Sequence, residues 1–319
     1  MFNLIRNECL KIFKRTGTYV MVGLLILLVT VMGAFFKYQD SKGDVPDNEN
    51  WQRGLQMENE SIKKDIKELE GNIPQGQINY LKKQVAINEY RIENDLSPNS
   101  EYAVWDFVND ASVFIEFAGL FTIVIAAGIV ASEFNWGTIK LLLIRPINRS
   151  RILIAKYATV VIFAFIVLTV LFSYSALLGA LLFGIPETSV PYLVYKDGLV
   201  TEQNMVSHLV IFFGLTSINM IMLATMAFMI SAVFRSSNLA IGLSIFLMFT
   251  GGQITSMLAS KYSWAKYILF ANTDLIRYFE GVPLVEGMTL TFSIIMLFIY
   301  FALFQFLAFY IFKKRDVAA

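Results

Sequence analysis

Residues 131–156 read ASEFNWGTIKLLLIRPINRSRILIAK, and this stretch decides the architecture. Five cations, Lys140, Arg145, Arg149, Arg151 and Lys156, gather here between two long apolar runs, 112–131 and 153–183. A helix needs about 20 mostly apolar residues to cross a hydrocarbon core of about 30 Å, so each run is long enough to span a bilayer. A short connection this rich in Lys and Arg is retained on the cytoplasmic side. Ile139, Leu142 and Leu143 can form one apolar face within it, and Pro146 should end the helical reading near Arg145. Such a short, stiff piece between two spans can pass a push from a partner into both. It can also simply rest on the membrane surface. Glu133 could pair with a cation of a partner, or with Lys140 or Arg149 of this chain.

Working outward, four further runs have the necessary length, 19–36, 209–233, 239–258 and 290–312, giving six spans. Composition agrees. Of 319 residues, 56% are hydrophobic and only 16% are Asp, Glu, Lys or Arg. A soluble domain carries about 25% charged residues, so this chain lacks the charge to cover a water-facing surface. The net charge of +1 leaves no electrostatic footprint for nucleic acid. Cys9 is the one cysteine, which rules out an intrachain disulfide. The first span follows four basic residues, but no small-residue cleavage site precedes Lys37, so it reads as a retained helix.

Placing both termini in the cytoplasm puts 13 Lys and Arg of the short connections and termini inside and four, Lys196, Lys261, Lys266 and Arg277, outside. The opposite topology would invert that ratio. Residues 37–111 then lie outside. This 75-residue segment carries nine basic and 15 acidic residues, and Ile62, Ile66, Leu69 and Ile73, followed by Ile78, Leu81, Val85 and Ile92, suggest two amphipathic helices in a hairpin. It reads as a spacer or dimer contact, or as a surface that receives cargo. Residues 1–36 divide into an amphipathic segment and the first span. Leu4, Ile5, Ile12 and Phe13 can face lipid while Arg6, Lys11, Lys14 and Arg15 stay in water, with a bend at Gly17. Residues 112–319 hold spans two to six, with the connecting segment 132–152 and an aromatic segment, 259–289, suited to the outer leaflet. Gly251, Gly252 and Gln253 permit close helix contact or a local break.

Little here supports intramembrane catalysis. His208 is the only histidine, and the sequence contains no HExxH, GxSxG or GxxxxGK[ST]. The chain is therefore expected to be no enzyme, to bind no cofactor or metal and to hydrolyse no ATP itself. Glu116 is the acid most deeply placed in a span, and a carboxylate there faces an aqueous path, a protein interface or the outer headgroup boundary. Asn219, Thr216, Ser217, Gln253 and Gln305 are further intramembrane polar groups; Glu116 and Asn219 are the candidates for a transport path, against a purely structural role in helix packing.

The opening FNLIRNECLKIFKRTGTYVMVGLLIL, the stretch IVASEFNWGTIKLLLIRPINRSRILIAKY and the closing FKKRD after span six together resemble the permease subunit of type-2 ABC transporters, the membrane half of bacterial exporters. The resemblance covers all six spans, with 37–111 as an insertion. It implies an all-α integral membrane protein of the bacterial cytoplasmic membrane, in which the amino-terminal segment is an interfacial elbow helix and 132–152 contains a coupling helix. Glu133, Gly137 and Thr138 match the family's E...GT pattern, and Lys140, Arg145 and Pro146 its basic, proline-ended continuation. The implied partners are two ATP-binding subunits carrying ATP and Mg, and a second permease subunit, identical or paralogous. The competing class is a membrane sensor or assembly scaffold that acts through the hairpin and transports nothing.

Overall fold

The computed structural model describes residues 1–42, 50–69, 75–98, 102–138, 147–185, 191–196, 198–234, 236–279, 283–285 and 287–314. Helix α1 (Phe2–Phe13) is followed at once by α2 (Thr16–Lys42). The chain turns at Lys14 and Arg15, earlier than the Gly17 bend expected from the sequence. Thr18 stabilises this corner by donating its hydroxyl to the Ile12 carbonyl at 2.7 Å, satisfying one of the acceptors a helix end leaves open. Ile12 does not face lipid as its spacing suggested; it is buried, and the Phe13 ring lies 5.9 Å from that of Phe163.

Next come α3 (Trp51–Leu69) and α4 (Gln75–Glu93), which run antiparallel, with Gln52 bonded to Asp95 and Lys63 to Glu89. Their seam uses Leu55, Asn59 and Ile62 from α3 and Ile78, Val85 and Asn88 from α4. Leu69 stands exposed, outside that seam, and Ile73 lies outside the described residues.

The second span is longer than its apolar core suggested. Helix α5 (Val104–Ala111), a 3-10 turn (Ser112–Phe114) and α6 (Ile115–Asn135) form one stretch of 32 residues. Asp106 accepts from the Ala103 amide at 3.0 Å and fixes its start. Glu116 consequently sits twelve residues beyond Val104, well inside the stretch.

Asn148 caps α7 (Arg149–Phe183), accepting from the Ser150 amide at 3.0 Å, and Gly184 ends it at a φ of 80°. A two-stranded antiparallel ribbon, β1 (Tyr192–Lys196) and β2 (Leu199–Gln203), follows in an otherwise helical chain. Asn204 caps α8 (Met205–Val233), and Ser236 caps α9 (Ser237–Ala259). Residues 259–289 carry short turns, Ser263–Tyr267 and Leu275–Tyr278, on either side of the one-turn α10 (Leu269–Asn272). Fully buried Asn272 donates to the Lys266 and Ile268 carbonyls and accepts from Ser293 at 2.7 Å, which pins this segment to α11 (Leu290–Lys314).

Among the described residues, six helical stretches are long and apolar enough to cross a membrane. The one containing α6 is central, packed against α7, α8 and α9, and 67% of its apolar window is buried. For α2, α9 and α11 that share is 17% each. Their exposed faces carry Leu27, Met257 and Phe298, which suits a surface in contact with lipid tails or another apolar subunit. Small residues permit close approaches inside the bundle. At Gly179 of α7 an added Cβ would stand 3.1 Å from the Val104 carbonyl oxygen and 3.0 Å from the Phe107 ring.

Candidate functional site

The connection 136–148 leaves α6 and enters α7, and a buried charge cluster lies at its base. Lys156, with a side chain only 1% exposed, points its ammonium at three oxygens: Glu8 Oε2 at 2.8 Å, Glu133 Oε1 at 2.9 Å and the Ile129 carbonyl at 3.1 Å. An ammonium has three donors, and here each has an acceptor. Lys11 adds a second cation, 2.7 Å from Glu8 Oε1 and 3.4 Å from Glu133 Oε1. Thr138 donates its hydroxyl to Glu133 Oε2 at 2.6 Å. Two carboxylates and two ammonium groups thus balance within one network. Burial by itself would lower the pKa of Lys11, but the Glu8 and Glu133 carboxylates outweigh it and hold the ammonium above the ordinary 10.5.

The local sequence explains how these groups meet. Glu8 and Lys11 are one helical turn apart on α1, as the i, i+3 spacing requires for a shared face. Glu133 lies in the last turn of α6 and Lys156 in the third turn of α7. Gly137, at a φ of 70°, supplies the left-handed residue that turns the chain so Thr138 can reach back to Glu133. Other ties gather the same end of the bundle. Asn135 donates to Ser237 at the start of α9, Arg149 to the Lys313 carbonyl at the end of α11, and the Arg15 guanidinium lies 5.2 Å from the Trp136 ring.

Of the residues singled out from the sequence, Glu133, Gly137 and Thr138 come together here. Glu133 pairs with Lys156 and Lys11, not with Arg149. Lys140, Arg145 and Pro146 lie outside the described residues. Lys11 and Lys156 were read from the sequence only as flanking charges, and Glu8 was not singled out. The missed signal was burial: a glutamate near the end of one span and a lysine near the start of the next each need a counter-charge once out of water.

A second polar feature opens on the side of the bundle, where Glu116 and Gln253 are exposed and Thr216 and Asn219 half-buried. Glu116 and Asn219 border one cleft of about 240 Å³ between α6, α8 and α9, together with Thr216, Gln253, Met248 and Phe249. The i, i+3 spacing of Thr216 and Asn219 on α8, and the i, i+4 spacing of Phe249 and Gln253 on α9, present them to the same side. Among the described residues no three His, Cys, Asp or Glu side chains are grouped to hold a metal ion.

Residues 79–318 match the family model described as a protein of unknown function, DUF2705. The chain belongs to that family. Over its whole length and that of its relative, it is 51% identical to the uncharacterized protein YhcI of Bacillus subtilis (strain 168). It is also 33% identical to the uncharacterized membrane protein YdbK of the same organism, over 61% of this chain and 76% of that one. With six spanning stretches and this membership, the DUF2705 chain is a multi-pass membrane protein. The family match takes in the bundle from α4 onward, including Glu133, Lys156 and the cleft, but not α1 with Glu8 and Lys11.

Proposed function

We propose that this protein is the membrane-spanning permease subunit of a type-2 ABC exporter, driven by ATP hydrolysis on a separate ATP-binding subunit. The charge cluster beneath residues 136–148 carries this reading. It fastens the end of α6, the start of α7 and α1 to one point, so a force on the connecting segment moves two spans and the amino-terminal helix together. That is what a coupling element has to do. In this reading both termini and the 132–152 segment are cytoplasmic, α1 is the elbow, and the α3–α4 pair stands outside the cell.

The complex holds two permease and two ATP-binding subunits. Nucleotide closes the ATP-binding dimer, the 132–152 segments follow, and cargo with different affinities for the two resulting states is moved outward. Glu133 positions the segment through Thr138 and Lys156 and takes no part in chemistry. Lys140, Arg145 and Pro146 are the residues that meet the partner in this reading.

Affinity purification from membranes should bring down a subunit with a phosphate-binding loop, whose ATPase rate changes when Arg145→Glu is introduced. A cysteine placed at Thr138 should react with impermeant reagents only from the cytoplasmic side. Labelling of that cysteine from outside alone, or purification that never recovers an ATP-binding partner, would overturn the reading.

A further inference from the structure

The cleft between α6, α8 and α9 gathers several polar side chains of the spans. Several hydroxyls of the spans bond to their own helices: Thr122, Thr169, Thr225 and Thr250 each donate to a carbonyl four residues back at 2.7–2.8 Å. Such back-bonding is the usual fate of a hydroxyl in an apolar helix, because an unsatisfied polar group there is costly. Glu116, Thr216, Asn219 and Gln253 break this pattern. Among the described residues none of the four side chains has a hydrogen-bond or ion-pair partner, and all four line the one cleft. Three helices have thus each brought at least one unpartnered polar group to a single place.

Among the described residues, Glu116 is the only formally charged group on that lining, and no Lys or Arg borders it. An intramembrane carboxylate without a counter-ion leaves a negative potential that a cation would relieve. The remaining walls select the kind of cation. Met220, Leu223, Met248 and Phe249 give an apolar, polarisable surface, and an aromatic ring beside a carboxylate suits a weakly hydrated organic cation better than a metal ion. At about 240 Å³ the cleft has room for a small aromatic ammonium ion. It is open on one side, with Phe249 exposed, so an amphiphile could enter laterally.

We infer that this cleft binds a monovalent organic cation with an apolar body, Glu116 meeting the charge, Asn219, Thr216 and Gln253 its polar edge, and Met248 and Phe249 the apolar part. As a statement of substrate class it rests on the export reading; as a binding site it stands without it.

The test is equilibrium binding of tritiated benzyltrimethylammonium to the full-length chain. The protein is held in nanodiscs of phosphatidylethanolamine and phosphatidylglycerol, which bring no competing choline headgroup, and empty discs are subtracted. The chain should bind the cation saturably. Glu116→Gln should weaken binding about tenfold, the size of one partly desolvated charge contact, while Glu116→Asp retains most of it. Neopentylbenzene, in which carbon replaces the charged nitrogen, should compete about tenfold less well than unlabelled cation, a comparison needing no variant to fold. Absence of saturable binding, equal competition by the neutral isostere, or full affinity in a well-folded Glu116→Gln protein each overturns the assignment. No ATP-binding partner enters the assay. A chain that binds the cation yet recruits no ATPase sinks the export reading alone, and one that drives a partner's ATPase without binding the cation sinks the site alone.

Discussion

Lys156 Nζ lies 2.8 Å from Glu8 Oε2 across a sequence separation of 148 residues, joining the first helix of the chain to the third spanning stretch. Replacing Lys156 with Met strands two carboxylates with only the half-exposed Lys11 to balance them. Breaking a buried ion network from one side costs about 3–5 kcal/mol, and the thermal midpoint of the purified protein should fall accordingly. Adding Glu133→Gln to Lys156→Met should cost less than the two single changes summed, because the second removes a charge the first left unpaired. Strict additivity in that cycle would mean the two groups do not interact.

Lys11 answers to pH in one direction. Its ammonium is stabilised in the folded protein, so its contribution is complete below the ordinary lysine pKa and disappears as pH rises through the elevated folded value. Wild type and Lys11→Met should therefore differ in melting temperature by a constant amount across the neutral range, the gap closing only in strong alkali. A gap that closes within the neutral range instead would contradict the arrangement.

Two adjacent glycines of α9 should behave oppositely. A Cβ at Gly251 would run into the Phe270 ring of α10, whereas one at Gly252 meets nothing within 4 Å. Gly251→Ala should destabilise by about 1–3 kcal/mol, as overpacking does, while Gly252→Ala should be neutral or slightly stabilising. Differential scanning fluorimetry of the two variants decides it.

The α3–α4 pair separates a buried contact from an exposed one. Asn88 donates to Asn59 at 3.0 Å with both residues buried, so Asn88→Ala leaves an amide unsatisfied and should cost about 1–3 kcal/mol. Lys63 and Glu89 are 2.7 Å apart but each about half exposed, and Glu89→Gln should change stability by under about 1 kcal/mol. Local hydrogen exchange in α3 would report both.

The spanning stretches were legible because a bilayer imposes a length, and runs such as 153–183 satisfy it on composition alone. The true start of the second stretch was hidden by Asp106, Asn109 and Asp110, polar residues that made α5 look like loop. Residues 192–196 and 199–203 of YLVYKDGLVTEQ pair as a ribbon, and the Asp-Gly in the sequence between these β-formers was a readable turn signal that the surrounding helices obscured. Glu116 and Asn219 stood out individually as intramembrane polar groups. Their meeting in one cleft depends on the rotation of three helices, which no linear pattern specifies. The Glu8, Glu133 and Lys156 network was illegible for the same reason: charges near helix ends read as membrane flanks until packing removes them from water.

The corner at Lys14 and Arg15 has a practical meaning for anyone handling this protein. Since Glu8 is one of two carboxylates facing Lys156, α1 acts as a structural plug for the bundle. A reporter or purification handle that displaces α1 would uncork that plug; fused beyond Lys314 instead, it leaves the plug seated.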